Sequence, residues 1–510
     1  MGKNKKLLNK INSTALIIIV IGILTALNFF SYHIFYRFDL TRNKDYSLAE
    51  ASQGAAAGLK DIVSVKAYFS ADLPARYLNL RQEVGDLLDE YANYSGGKIK
   101  VEFIDPKDDP ELKQELYLSG IPELQFNVLE KDKYQVVNGF LGILIKYGDK
   151  TQALPVVQTA RDLEYKITSA IKKLTSDRPA RIGFWQSNGA AGAQNGVSAA
   201  HEKLGEIYDV TAVDLAVNKN IPDDLDTLII IGPVEKFSDN ELKALDEFLL
   251  RGGSLVILAD GVTVEPGLAA VKNDIGLNKL LEAYGLKLNN NLILDASSGL
   301  ASFSQGFVTF TVDYPYWPKV INSGFDQNNP AVSGLETLVM PWSSSIDVDL
   351  DKTGDLAVSY LARSTDNAAA AADNFNLSPQ TPVSGASPGR FNLAVSLSGN
   401  FSGSFGGQST KAGRLILVGD SDFIKDNILR SYPDNLLFFQ NAIDGLSLGG
   451  DLIAIRSKGA VDRPLKETSE TVKAVIRYGN IFGLTAIVLL FGLIRYYLRR
   501  RPEFNDGIDN

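Results

Sequence analysis

The sequence predicts an α/β protein held between two transmembrane helices, and three observations predict it. Apolar strand-like runs alternate with amphipathic helix-like stretches from about residue 48 to residue 455, uncharged apolar stretches stand near both ends, and basic residues cluster on the outer flank of each. A chain of 510 residues with 45% hydrophobic content can build two to four domains with ordinary cores. It contains no cysteine, which excludes disulfides, thiolate zinc sites, thiol nucleophiles and cysteine-ligated iron–sulfur clusters together. Its two histidines, His33 and His201, are too few for a histidine-rich metal centre. A net charge of −9 and a pI near 5.1 leave no basic face for nucleic acid.

The first element is an N-terminal anchor. No charge occurs from Ile11 to Tyr36, and Ala15 to Leu27 is dominated by Leu, Ile and Val, which exceeds the ~20 apolar residues a bilayer-spanning helix needs. The stretch runs into Phe29, Phe30, Tyr32, Phe35 and Tyr36 rather than into small residues, so it reads as uncleaved. Lys3, Lys5, Lys6 and Lys10 place the N-terminus in the cytoplasm. At the other end, Tyr478 to Ile494 lies between Arg477 and Arg495, with Arg499, Arg500 and Arg501 beyond it, which puts the C-terminus in the cytoplasm as well. The expected location is a bacterial cytoplasmic membrane with the bulk of the chain outside the cytoplasm.

Behind the anchor, Ser47-Leu-Ala-Glu50 has the form of a capping box opening a helix to Lys60. Next come a strand at Ile62 to Phe69, a helix at Leu78 to Tyr94 and a strand at Ile99 to Ile104. In that helix Val84, Leu87, Leu88 and Tyr91 form one apolar stripe. A helix at Glu111 to Ser119, strands near Leu124 to Leu129, Phe140 to Tyr147 and Ala153 to Val157, and a helix at Leu163 to Leu174 complete the unit. The order resembles a thioredoxin-like fold without redox cysteines, in which Pro122 would be a candidate cis proline.

A second unit starts after Pro179. Arg181 to Trp185 reads as a strand, Val197 to Tyr208 as a helix, and Val210 to Leu215 as a strand. Leu228 to Ile231 is a continuous apolar run, as in a strand covered on both faces. Ser238-Asp-Asn-Glu241 forms a second capping box with Phe237 and Leu242 as its staple, and Gly252-Gly253 ends that helix. Leu255 to Leu258 reads as a strand, Leu277 to Tyr284 as a helix and Leu286 to Leu294 as a strand, which together predict a doubly wound parallel sheet. Between about 300 and 412 the pattern suggests short strands, with loops rather than core at Ser364 to Gly389 and Ser396 to Thr410. Order returns with a strand at Arg414 to Val418, a helix at Leu436 to Leu446 and a strand at Leu452 to Ile455 that extend the parallel sheet.

No phosphate-binding GxxxxGK[ST] loop, no GxSxG elbow and no cysteine nucleophile is present, so the sequence points to no nucleotide chemistry, no catalytic residue and no cofactor. His201 lies on the flank of an amphipathic helix, the place of a structural histidine. Open α/β sheets bind ligands at the carboxyl ends of their strands, which points to Trp185 and Asn188, to Asp260, and to Asp420 with Asp422. Trp185 suits stacking on a sugar or peptide, though the filling of a loop edge is the commoner role of a tryptophan at such a place. Asp420 and Asp422 suit a hard cation, though turn and helix-cap chemistry is the commoner role of an Asp-Ser-Asp after a strand, and no metal is assigned.

Tyr36-Arg-Phe-Asp-Leu-Thr41 and Tyr46-Ser-Leu48 behind the anchor resemble the opening of GldG-type auxiliary components of gliding-motility ABC transporters. Further similar stretches are Asp86-Leu-Leu-Asp-Glu-Tyr91, Val101-Glu-Phe-Ile-Asp-Pro106, Leu163-Glu-Tyr165, Ile231-Gly-Pro233, Phe237-Ser238, Arg251-Gly-Gly253, Asp313-Tyr-Pro315 and Gly419-Asp-Ser-Asp-Phe423. The resemblance implies a non-catalytic subunit that accompanies an ABC permease and a separate cytoplasmic ATPase. It also implies that the second unit is amidotransferase-like, a relative of a domain in intraflagellar transport proteins. The domains expected are residues 1–37 (tail and anchor), 38–177 (thioredoxin-like), 178–460 (amidotransferase-like, with the insertion at about 300–412), 461–477 (linker), 478–498 (membrane helix) and 499–510 (cytoplasmic tail). Such a subunit would either bind a small molecule, glycan or peptide or act as an adaptor to other machinery; the competing reading is a membrane-tethered glycan or peptide hydrolase using Asp260, Asp420 or Asp422.

Overall fold

The computed structural model describes residues 19–25, 47–74, 77–130, 133–160, 162–176, 178, 180–218, 220–265, 267–305, 308–373, 375–379, 388–447, 455 and 470–499. The chain divides into two compact units, residues 1–460 and 461–510. The first holds two lobes. Of the stretch expected to form an N-terminal anchor only residues 19–25 are described, and they are helical; the rest of that stretch, the lysines before it, His33 and most of the strand expected at Leu452 to Ile455 lie outside the described residues.

The first lobe runs α1 (Glu50–Ala57), β1 (Val63–Phe69), α2 (Leu78–Tyr94), β2 (Ile99–Ile104), α3 (Pro110–Leu118), β3 (Leu124–Glu130), β4 (Lys133–Gly139), β5 (Leu141–Tyr147), β6 (Lys150–Leu154) and α4 (Leu163–Thr175). Its sheet has the order β2-β1-β5-β6, with β1 parallel to β2 and antiparallel to β5, and β6 antiparallel to β5. β3 and β4 pair with each other as a separate hairpin; β4 (Lys133–Gly139) is not among the expected strands, because Lys, Gln and Asn interrupt its Tyr and Val residues. The core collects Val63, Val65, Val84, Leu88, Tyr91, Ile143, Ile145 and Ile167. The expected capping box at Ser47 does not form. α1 starts at Glu50 with Ala49 as N-cap, and buried Glu164 of α4 accepts from the Ala49 N–H at 2.6 Å and the Ser52 hydroxyl at 2.8 Å. A carboxylate from across the lobe thus replaces the local cap. Among the described residues no peptide bond is cis, so Pro122 is trans.

The second lobe is built on a seven-stranded sheet. Its elements begin with β7 (Arg181–Trp185), α5 (Ser198–Gly205), β8 (Asp209–Val213), β9 (Thr227–Ile231), α6 (Asp239–Leu250) and β10 (Ser254–Leu258). Short strands follow: β11 (Val262–Glu265), β12 (Ala269–Lys272), β13 (Leu286–Leu288) and β14 (Leu292–Leu294). Then come the long hairpin of β15 (Ser298–Gln305) and β16 (Val308–Ile321), and β17 (Thr337–Val339), β18 (Ile346–Val348), β19 (Ala357–Arg363), β20 (Ala369–Ala371), β21 (Asn392–Gly399), β22 (Gly413–Val418) and α7 (Asp434–Ser447). The sheet order is β19-β21-β22-β10-β9-β7-β8. The five strands from β22 to β8 are parallel, while β21 and β19 add an antiparallel edge. In chain order the parallel strands lie second, first, third, fourth, fifth, so the winding reverses between β7 and β9.

Alternation within the apolar runs explains the two-faced core. Ile229, Ile231, Val256, Leu258, Ile416 and Val418 face α5 and α7 through Leu204, Phe438 and Ile443. Leu228, Ile230, Leu255, Ile257, Leu415 and Leu417 face α6 through Leu245, Phe248 and Leu249. Each strand therefore has apolar neighbours on both sides, as continuous rather than alternating runs require. The Ser238 capping box forms as expected. Three expectations fail. The stretch Ser364 to Gly389, expected as loop, contains β20, and Ala368 and Leu377 within it are buried in the core. Leu286 to Leu294 is not a sheet strand but the separate β13 and β14, which pair with β18 and β20. Residues 396–399 belong to β21 and Phe401 is fully buried, because alternate side chains there still reach the core although serine and glycine dilute the pattern. In the second unit, helix α8 (Glu470–Arg499) includes Arg477–Tyr496, 20 residues long and apolar enough to cross a bilayer.

Candidate functional site

The carboxyl ends of the five parallel strands form two regions with different cover. At β10 and β22 the insertion closes over the sheet. The Ser344 N–H donates to the Gly419 carbonyl at 2.6 Å, the Gly261 N–H donates to the Ser344 hydroxyl at 3.0 Å, and the Asn290 side chain donates to the Gly261 carbonyl at 2.8 Å. A Cβ on Gly261 would stand 2.0 Å from the Asn289 carbonyl oxygen, and one on Gly419 2.1 Å from that of Ser344. Only glycine allows the two backbones so close.

Beneath this cover sit three of the residues singled out from sequence. Asp260 accepts from the Ser421 N–H at 2.7 Å and the Ser421 hydroxyl at 2.5 Å. Asp420 accepts from the N–H groups of Asp422 at 2.6 Å and Phe423 at 3.3 Å through one oxygen, and its other oxygen is buried without a hydrogen-bond partner. Asp422 is ion-paired with Lys425. Burial, followed by the charge of Asp422, pushes Asp260 up to about 6 and Asp420 well above the usual carboxylate range. Burial works against the charge of Lys425, but Asp422, Asp260 and Asp420 outweigh it and raise its pKa. Among the described residues no three acidic or histidine side chains are grouped to hold a metal. Hydrolysis by a carboxyl pair needs both groups open to a substrate, whereas Asp260 is 9% and Asp420 0% exposed.

The end of β7 differs. Trp185 is fully buried, packs on Phe237 at 6.0 Å and donates its indole N–H to the Asn188 side chain at 2.9 Å. Of the two roles open to it, it fills the base of the loop. Asn188 takes a left-handed φ of 60°, its carbonyl accepting from Val234 at 2.9 Å and Glu235 at 3.1 Å. These bonds fasten the β7 loop to the β9 loop across the point where the winding reverses. Beside them opens a cleft of about 310 Å³ lined by Phe184, Gln186, Gln194, Asn195, His201 and Thr211, at the lower end of ligand-pocket volumes. His201 packs on Phe184 at 5.0 Å. Neutral amides, a hydroxyl and an imidazole offer donors and acceptors without fixed charge, a lining suited to uncharged polar ligands. Trp185 marks the loop in the sequence, whereas Gln194, Asn195 and Thr211 leave no signal there, since isolated amides and hydroxyls carry no pattern.

Residues 179–443 match the family described as an ABC-type uncharacterized transport system, and residues 42–146 match a domain of unknown function, DUF7088. An uncharacterized protein of Borreliella burgdorferi is 24% identical over 494 residues, spanning 92% of this chain and 94% of its own length. Among solved structures, the mmIFT52 N-terminal domain aligns with a TM-score of 0.35 and 16% identity, covering 56% of this chain and 100% of that one. A cold-adapted β-galactosidase from Rahnella sp. R3 aligns with a TM-score of 0.25 and 13% identity over 55% of this chain and 36% of its own.

Proposed function

Because the chain belongs to the family described as an ABC-type uncharacterized transport system, with more than half of its length matched, we propose that it is a non-catalytic auxiliary subunit of such a transporter. It works beside a permease and a separate ATPase, with its lobes on the outer face of a cytoplasmic membrane. The family match carries the reading. The apolar Arg477–Tyr496 helix and the terminal basic clusters support a chain anchored at both ends with cytoplasmic termini. The strand order β2-β1-β5-β6 with one parallel pair supports the thioredoxin-like assignment of residues 38–177. The reversal of winding between β7 and β9 supports a flavodoxin-like or amidotransferase-like doubly wound lobe over residues 178–460. Membership of the gliding-motility branch rests on the resemblance at Tyr36 to Leu48 and the later shared stretches.

The lobe would recognise a glycan or peptide at the open end of β7. Trp185 and Asn188 hold the loop that walls the cleft, and Asp260, Asp420 and Asp422 hold the covered end beside it. No observation favours the hydrolase reading. The decisive experiment is affinity purification of the full chain from detergent-solubilised native membranes, followed by mass spectrometry. Co-purification of one permease and one ATPase in fixed proportion is expected, and repeated recovery of the chain without either overturns the proposal.

A further inference from the structure

A second cavity of about 310 Å³ lies where the two lobes of the first unit meet, at the amino ends of β7, β8 and β9 and away from the carboxyl ends described above. α4 supplies Ser169, Lys172 and Lys173, the connection contributes Ser176 and Arg178, and the second lobe adds Tyr208, Asp226 and Ser447. We infer that this cavity binds a small phosphate-bearing ligand, with Lys172 and Lys173 facing the phosphoryl group and Ser169 donating to it.

Three observations carry the inference. The described lining residues hold three cations, Lys172, Lys173 and Arg178, against one carboxylate, Asp226, and that carboxylate is already ion-paired with Arg178. Among the described residues neither lysine has an ion-pair partner, so two positive charges remain unbalanced, the charge of a phosphate dianion reversed. Lys173 is held below the usual lysine pKa by burial, which Asp209 offsets only in part; Asp209 is itself paired with Arg181 at 3.2 Å. An anion beside Lys173 would favour its charged form. Finally, Ser169 is 3% exposed and lines the cavity, and its hydroxyl has no hydrogen-bond partner. Such a group is costly to bury unless something accepts from it. A phosphoryl group supplies several strong acceptor oxygens in one place, and the volume leaves room for a small organic portion.

The inference does not depend on the transporter reading. The full chain in detergent is titrated with inorganic phosphate and with glycerol 3-phosphate, against sodium chloride at matched ionic strength, by thermal shift and calorimetry. Saturable stabilisation beyond the chloride control is expected. Lys173→Gln should weaken it by about tenfold or more and Ser169→Ala by about threefold, while Lys243→Gln, on the far helix α6 beside Glu247, leaves it unchanged. Binding of the ester alone would support an organic phosphate as ligand, and binding of both would support the phosphoryl group as the whole determinant. Absence of binding beyond chloride, or full binding by a folded Lys173→Gln protein with native circular dichroism, overturns the inference.

Discussion

The Tyr165 hydroxyl donates to Oδ2 of Asp444 at 2.7 Å, joining residues 279 positions apart and so tying α4 of the first lobe to α7 of the second. Tyr208 donates to Oδ1 of the same carboxyl at 2.6 Å. Burial pushes Asp444 up to about 8, although the Tyr208 bond pulls the other way. In the unfolded chain the same carboxyl titrates near ~3.9. Between those values the folded protein keeps a proton that the unfolded chain releases, so this group makes stability fall as pH rises from about 4 to about 8, by up to ~1.4 kcal/mol per unit. Asp444→Asn removes that slope while retaining an acceptor. Chemical denaturation across this range should give a flatter stability profile for the variant, and parallel profiles would refute the role of Asp444.

Closure of the insertion over β10 and β22 depends on backbone contact. Gly261→Ala and Gly419→Ala should each destabilise by about 1–3 kcal/mol or more through overpacking against a carbonyl. Gly54→Ala, in α1 with open space around its Cβ, should instead stabilise by about 0.5–1 kcal/mol. Melting curves of the three proteins should separate in opposite directions.

Asp260 and Ser421 form the bond pair that joins the ends of β10 and β22. Asp260→Ala strands a buried N–H and a buried hydroxyl, at a cost of about 1–3 kcal/mol each at most. Ser421→Ala loses only the hydroxyl bond and should cost less. Equal losses in urea denaturation would show that the paired donors are not what holds the two strand ends together.

The strands of the parallel sheet were legible because β9, β10 and β22 are unbroken apolar runs, and a run buried on both faces leaves little room for polar substitution. β4 and the end of β21 were not, since Tyr134, Val136 and Val137 are interspersed with Lys133, Gln135 and Asn138, and Leu397 stands between two serines, so neither stretch shows a clean period. Several of the stretches singled out in the sequence have concrete duties. Glu90 accepts from the Leu48 N–H at 2.9 Å, Glu164 holds the start of α1, and Asp105 accepts from Ala71 at 2.9 Å. Their pattern was visible, but their partners lie 34 to 115 residues away, which only the fold reveals. The same holds for the β7 cleft: Trp185 marks the strand end beside Gln186, whereas Gln194 and Asn195 are brought to the cleft by the loop after Asn188.

Topology yields the sharpest prediction, because the chain has no cysteine and any single introduced thiol reports alone. Tyr117→Cys in the first lobe and Val217→Cys in the second replace residues at least 73% exposed, so substitution there perturbs no core. Asn510→Cys marks the tail beyond the basic cluster. In intact spheroplasts a membrane-impermeant maleimide should label positions 117 and 217 at once and position 510 only after lysis. Protection of the lobe positions with labelling of the tail would invert the orientation, and the positive-inside assignment would then fail together with an outward-facing role in transport.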